Sequence, residues 1–217
     1  MKKYLYLFAV VVLGLAFLAS CSSSSSSSSG PSSFDDIYES NKYDFVVDID
    51  VTDVSVEILG DVEPQSVTLK IKDTVISLDS DLEGDIPMAL WMDLMPGKSY
   101  KVELTVDGTT SSANVLWPGT PILSNVPTTY DPAESFKLEW SYIIGKAGKV
   151  QVAYVGTDDD DHYKELNSSA KSYTFPANCV PSASYYYMGV SSTNFATSGK
   201  VAFMVSSGVP QMIGFDF

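Results

Sequence analysis

Ser99-Tyr100-Lys101-Val102-Glu103-Leu104-Thr105-Val106-Asp107-Gly108-Thr109 decides the fold class of this chain. Tyr100, Val102, Leu104 and Val106 alternate with Lys101, Glu103 and Thr105. Side chains along a strand point alternately to opposite faces, so this pattern predicts a strand with one face in a core. Asp107-Gly108 then supplies two residues that accept positive φ, a strong hairpin signal, and leads into a second strand over Thr109 to Val115. Toward the N-terminus the same period of two recurs. Val67, Leu69 and Ile71 alternate with Thr68, Lys70 and Lys72, and Phe45, Val47, Ile49 and Val51 behave likewise. The apolar parity changes across Asp53 to Val54, Val56 and Ile58, which predicts a bulge or a bend.

Toward the C-terminus, Phe136, Leu138 and Trp140 alternate with Lys137, Glu139 and Ser141. Further strands are expected at Val150, Val152 and Tyr154, at Tyr173 and Phe175, and at Val201, Phe203 and Val205. Sustained 3.6-residue periodicity is missing, and one helical turn is expected between Asp35 and Asn41. Short strands broken at frequent intervals by Gly, Pro, Asn and Asp predict an all-β sandwich architecture rather than a parallel sheet. Trp117-Pro118-Gly119-Thr120-Pro121 stops one strand and cannot join a central one, which places a domain boundary there.

The N-terminal segment reads differently. Lys2 and Lys3 precede an uncharged apolar run from Tyr4 to Leu18, followed by small residues, the three parts of a secretory signal. The run is shorter than the roughly 20 apolar residues that a spanning helix needs, and a serine tract stands where a stop-transfer segment would carry positive charge. Leu18-Ala19-Ser20-Cys21 resembles the lipobox of bacterial lipoprotein precursors. That resemblance implies cleavage before Cys21 and its acylation. At about 0.8 kcal/mol per buried methylene, two or three acyl chains hold a protein on a membrane where one lets it escape. Ser22 to Ser29 are all serine, continued by Gly30-Pro31-Ser32-Ser33. This composition buries no apolar surface and predicts a flexible leash holding the body about 20 Å from lipid. With Ser22 after the cysteine, the resemblance implies the outer membrane if the cell is Gram-negative.

Charge narrows the partners. The chain has 27 acidic residues, 13 lysines and no arginine. Cleavage before Cys21 leaves 11 lysines, a formal charge of −16. Phosphate recognition leans on Arg forks and Lys clusters, so nucleic acid and anionic headgroups are repelled, while cations, neutral glycans and basic surfaces are not. Cys21 is committed to lipid, which leaves Cys179 without an intrachain partner.

Two stretches are candidate calcium loops. Asp79-Ser80-Asp81-Leu82-Glu83-Gly84-Asp85 places oxygen ligands Asp79, Asp81 and Glu83 at alternate positions with glycine at the sixth. Its twelfth position is Leu90 rather than glutamate, and no flanking helices are expected, so an EF-hand is excluded and a looser site is left. Asp158, Asp159, Asp160 and Asp161 repel one another unless a cation or solvent screens them. His162, the only histidine, stands beside that run, which favours its protonated form and disfavours a general base. No nucleophile or metal-protease motif occurs, so no catalytic residue and no enzyme activity are expected. Trp91, Trp117 and Tyr186 are the candidate ligand residues, able to stack on sugar rings where exposed.

Two further stretches carry a second resemblance. The segment 119–208, with Phe136-Lys137-Leu138-Glu139-Trp140, Ser172-Tyr173-Thr174-Phe175 and Ser184-Tyr185-Tyr186-Tyr187-Met188, resembles a fibronectin type III domain. The resemblance implies a core tryptophan at Trp140 and a corner tyrosine among Tyr185 to Tyr187. Leu94-Met95-Pro96-Gly97-Lys98-Ser99-Tyr100 looks like the corner leading into a late strand of such domains, with the Tyr100 hydroxyl bonded back to the loop before it.

The expected organisation is a signal peptide over 1–20, lipidated Cys21 and linker over 21–42, and two tandem immunoglobulin-like (fibronectin type III-like) β-sandwiches over 43–118 and 119–217. The expected function is that of a non-enzymatic, membrane-anchored surface lipoprotein for binding, adhesion or assembly, with a protein or glycan ligand. A glycan-binding accessory lipoprotein is the second reading and a cell-envelope hydrolase the third. No cofactor is expected beyond the calcium that the two acidic loops could hold.

Overall fold

The computed structural model describes residues 33–50, 52–125, 131, 133–142, 148–156, 161–178 and 185–214; at 142, 154–156, 161–162, 185–187 and 209–214 it describes the backbone only. The chain is all-β, as the alternation predicts, with two short helices among the described residues. The elements in order are α1 (Phe34–Tyr38), β1 (Phe45–Asp50), β2 (Asp53–Ile58), β3 (Val67–Ile71), β4 (Thr74–Ile76), β5 (Glu83–Asp85), α2 (Met88–Asp93), β6 (Ser99–Val106), β7 (Thr109–Leu116), β8 (Pro121–Leu123), β9 (Phe136–Tyr142), β10 (Lys149–Gly156), β11 (Asp161–Asn167), β12 (Ser172–Phe175), β13 (Tyr185–Ser198) and β14 (Val201–Gly214). They fall into two compact units. Unit 1 holds 33–86, 101–114 and 195–204; unit 2 holds 87–100, 115–194 and 205–214.

This division differs from a contiguous break at 118/119. β13 and β14 are 14 residues each, long enough that the turn end of their hairpin belongs to unit 1 and the remainder to unit 2. The segment 116–121 is packed into its surroundings. Trp117, Pro118 and Gly119 are buried. Asn194 Nδ2 donates to the Leu116 carbonyl at 2.8 Å, Ser192 Oγ donates to the Gly119 carbonyl, and the Thr120 and Ser207 hydroxyls lie 2.6 Å apart.

In unit 2 two sheets pack face to face. One is ordered β12-β9-β8; the other brings β11, β10 and β13 together in that order. Leu138, Trp140 and Phe175 from the first meet Val150, Val152, Met188 and Val190 from the second. That is the sandwich which alternation along β9 and β10 predicts, because every second side chain turns inward. Trp140 takes the core position that the family resemblance implies for it. Phe136 stacks on Phe175 at 6.4 Å, and Tyr173 meets the edge of Phe175 at 4.8 Å.

In unit 1 one sheet is ordered β4-β3-β6-β7, and β14, β1, β2 and β5 follow one another in the second. Leu69, Ile71, Ile76, Val102 and Leu104 are buried on one face of the first sheet. Asp107 and Gly108, with φ of 48° and 80°, turn β6 into β7 as a primed hairpin, and Asp107 Oδ1 accepts the Gln65 and Ser66 amides at 2.9 and 2.8 Å.

Of the bulge or bend expected near Asp53, the structure has the bend, drawn tight into a hairpin. β1 and β2 pair antiparallel with Phe45 opposite Ile58, Val47 opposite Val56 and Ile49 opposite Val54. Opposed residues share a face, so odd positions on β1 must match even positions on β2. Only 51–52 separate the two strands.

Candidate functional site

The first acidic loop is held by backbone. Asp79 Oδ1 accepts the amides of Asp81 at 2.9 Å and Glu83 at 3.0 Å, an Asx-type turn that braces the loop by its own backbone. The sharp position is Leu82, with φ of 62°, while Gly84 lies in β5. An added Cβ on Gly84 would stand 2.3 Å from the Ser77 carbonyl oxygen, so the glycine permits close backbone approach instead of the metal turn. Among the described residues no three His, Cys, Asp or Glu side chains come together in a metal-binding group, and Asp79, Asp81 and Glu83 are among those searched. Asp158, Asp159 and Asp160 lie outside the described residues, as do Leu18, Ala19, Ser20, Cys21 and Cys179. Asp161 and His162 are placed in β11 by their backbone, opposite Val155 and Tyr154, with their side chains outside the description.

The aromatic candidates separate. Trp91, on α2, is 40% exposed, and Met88, Met92 and Met95 beside it in sequence are also exposed. Trp117 is only 6% exposed and is corrected from a stacking surface to a packing residue. Its backbone is fixed by bonds from Trp117 N to the Lys98 carbonyl at 2.8 Å and from Gly97 N to the Trp117 carbonyl at 2.9 Å. Its ring meets the edge of Tyr100 at 6.0 Å. Tyr186 is placed on β13 opposite Gly156 by its backbone, and its side chain lies outside the description. Trp91 and Trp117 therefore do not both present a surface for sugar.

Tyr100 makes the corner that its motif predicts. Its hydroxyl accepts the Met95 amide at 2.7 Å and donates to the Asp93 carbonyl at 3.0 Å, closing the loop that follows α2. α2 itself was not legible from periodicity. Leu90 and Leu94 are buried while Met88, Trp91, Met92 and Met95 are exposed, so its apolar residues surround it instead of forming a stripe.

A cluster that sequence reasoning missed lies on the outer face of unit 1. The registers place Val46 opposite Glu57, Asp48 opposite Ser55, Asp50 opposite Asp53 and Asp53 opposite Asp85. Asp48, Asp50, Asp53, Glu57 and Asp85 thus share one face, with Phe45, Val47 and Ile49 on the other. α1 covers part of this face. Phe34 and Ile37 form a cluster with Val46, Ala202 and Met204, joined by Tyr38, Tyr43 and Phe195. Phe34 meets Phe195 edge to face at 5.4 Å. Ser33 caps the helix, its Oγ accepting the Asp36 amide at 3.1 Å.

Three buried polar atoms in this cluster, Tyr38 OH, Asp48 Oδ1 and Glu57 Oε2, have no hydrogen-bond partner of acceptable geometry among the described residues. Burial pushes the Asp48 carboxyl up to about 7, and the charges of Asp50 and Glu57 add to the rise, against a hydrogen bond from the Ile49 backbone. Burial also raises Glu57, with the nearby Tyr38 hydroxyl opposing it without an aligned bond. Tyr38 is raised far above its ordinary range by burial first and then by Asp48 and Glu57. Farther along the face Asp53 is raised by burial and by sharing a hydrogen bond with the Asp85 carboxyl. The common first cause is burial, which draws these groups from water.

No family model matches the chain, and none of the curated proteins matches it. Among solved structures, a segment of two fibronectin type III domains from chicken tenascin is similar at 14% identity, over 79% of this chain and 98% of that one, with a TM-score of 0.32. The all-β class stands on the strand pairing described above.

Proposed function

We propose that this chain is a surface lipoprotein, anchored through Cys21, whose two β units act as non-enzymatic modules for binding, adhesion or assembly. The observation carrying the anchor is Leu18-Ala19-Ser20-Cys21 between an uncharged apolar run and eight serines. Two or three acyl chains at this position would supply stable attachment, and the outer membrane is the proposed address in a Gram-negative cell. The binding role is supported by the architecture, strands built around packed cores and joined by exposed loops. Cys21→Ala is expected to abolish incorporation of labelled palmitate and to leave the precursor uncleaved. Retention of both label and processing in that variant would overturn the anchor.

The glycan-binding reading keeps one support, the exposed Trp91. It loses Trp117 to the interior. Trp91→Ala is expected to abolish binding to a neutral glycan array under this reading, and an array on which the wild-type protein binds nothing removes it.

A further inference from the structure

α1 has five residues, well below the length at which a helix persists alone in water, so its helical state depends on docking against β1 and β14. The docked surface is divided. Phe34 and Ile37 rest on Val46, Ala202 and Met204, whereas Tyr38 lies beside Asp48 and Glu57, with its hydroxyl and one oxygen of each carboxyl buried and without a well-aligned partner among the described residues. The groups facing Asp48 are Tyr38 from α1, Asp50 from its own strand and Glu57 from β2, all acidic or neutral. β14 contributes Ala202 and Met204 to the cluster, which carry no charge. Lys200 is engaged elsewhere, 3.3 Å from Asp44. Among the described residues a negative charge formed at Asp48 therefore meets no cation, and it gains solvation when the cover lifts.

We propose that α1 is a proton-held latch, docked while the Asp48 carboxyl is neutral and released when it ionises. The direction follows from linkage. Asp48 titrates near 3.8 when solvated and near 7 under the latch, so the docked form binds the additional proton. Docking is at full strength in acid, weakens as pH rises from about 4 to about 7, and stays at its minimum above that. Glu57 is raised in the same sense and adds to the trend. Release frees 33–43 from the sheet.

Hydrogen exchange of the full mature chain in nonionic detergent tests the latch, with labelling times scaled to the intrinsic rate at each pH. The Glu39 amide, bonded to the Asp35 carbonyl at 2.9 Å, reports docking. Between pH 5.5 and 8.5 its protection is expected to fall at least about tenfold, while amides of β3 and β6 hold theirs. Asp48→Asn, neutral at every pH, is expected to remove that fall. Unchanged protection in the wild-type protein, an equal fall in Asp48→Asn, or a parallel fall in β3 and β6 would each overturn the proposal. Should Asp48→Asn not fold, the carboxyl carbon of Asp48 in the wild-type chain decides the same question. A titration midpoint coincident with the loss of protection supports the latch, and one in the ordinary carboxylate range overturns it.

Discussion

Replacing Tyr100 by phenylalanine removes one oxygen and leaves the ring. The lost atom makes two bonds, accepting the Met95 amide at 2.7 Å and donating to the Asp93 carbonyl at 3.0 Å. The retained ring still meets Trp117 edge to face at 6.0 Å, so packing changes little. At about 0.5 to 1.5 kcal/mol net per bond, two bonds contribute about 1 to 3 kcal/mol. Asp93 and Met95 are both exposed, and water can satisfy the freed amide and carbonyl, which favours the lower part of that range, about 1 to 2 kcal/mol. Urea unfolding followed by tryptophan fluorescence is the assay, because Trp117 adjoins the altered ring and a midpoint shift at constant slope isolates stability. Tyr100→Leu, which also loses the ring, is expected to cost more. A Tyr100→Phe change below about 0.5 kcal/mol, the range of ordinary surface substitutions, would refute the corner as a stabilising device.

Two other substitutions test the packing and the acidic loop. Phe175→Ala empties a fully buried position between Phe136 and Tyr173 and is expected to cost about 3 to 5 kcal/mol in the same urea assay; a loss under about 1 would mean that the unit 2 core is not closed as described. Asp79→Ala removes the acceptor for two amides at a cost of about 1 to 2 kcal/mol, whereas Asp79→Asn keeps an acceptor and is expected to lose less than half of that, with and without calcium. An Asn variant as damaging as the Ala variant in calcium alone would show that the loop takes the metal.

The strands were legible because alternation is itself the physical signal: Val102 and Leu104 are buried where Lys101 is exposed. Asp107-Gly108 was legible because few residue pairs accept two positive φ values. The β1–β2 turn was not, since Val51-Thr52 has none of the usual turn residues and the parity shift reads equally as a bulge or a bend. Trp117 beside Pro118-Gly119 looked like a boundary, yet burial of that segment depends on Ser192 and Asn194, more than 70 residues away in sequence. The Tyr38, Asp48 and Glu57 cluster needed the register of β1 on β2 and the docking of α1, neither of which is written in local pattern. A count of carboxylates treats them all as solvated.

Buried polar groups are handled in opposite ways along 116–120 and under α1. In unit 2, Ser192, Asn194 and Ser207 reach partners in 116–120, and the Thr193 hydroxyl lies 2.9 Å from that of Ser206. A satisfied network fixes a segment, because lifting it breaks bonds whose replacement by water brings little net gain. Under α1 the balance reverses. Tyr38, Asp48 and Glu57 each bury an atom that has no well-aligned partner among the described residues, so hydration recovers part of what docking costs, and the apolar contacts of Phe34 and Ile37 oppose release. Movement in this protein is therefore expected first at α1, where polar atoms are buried and unpaired, and last along 116–120, where they are buried and paired. Exchange at Glu39 should be faster than exchange at Trp117, whose amide is bonded to the Lys98 carbonyl at 2.8 Å, and the gap between them should widen as pH rises.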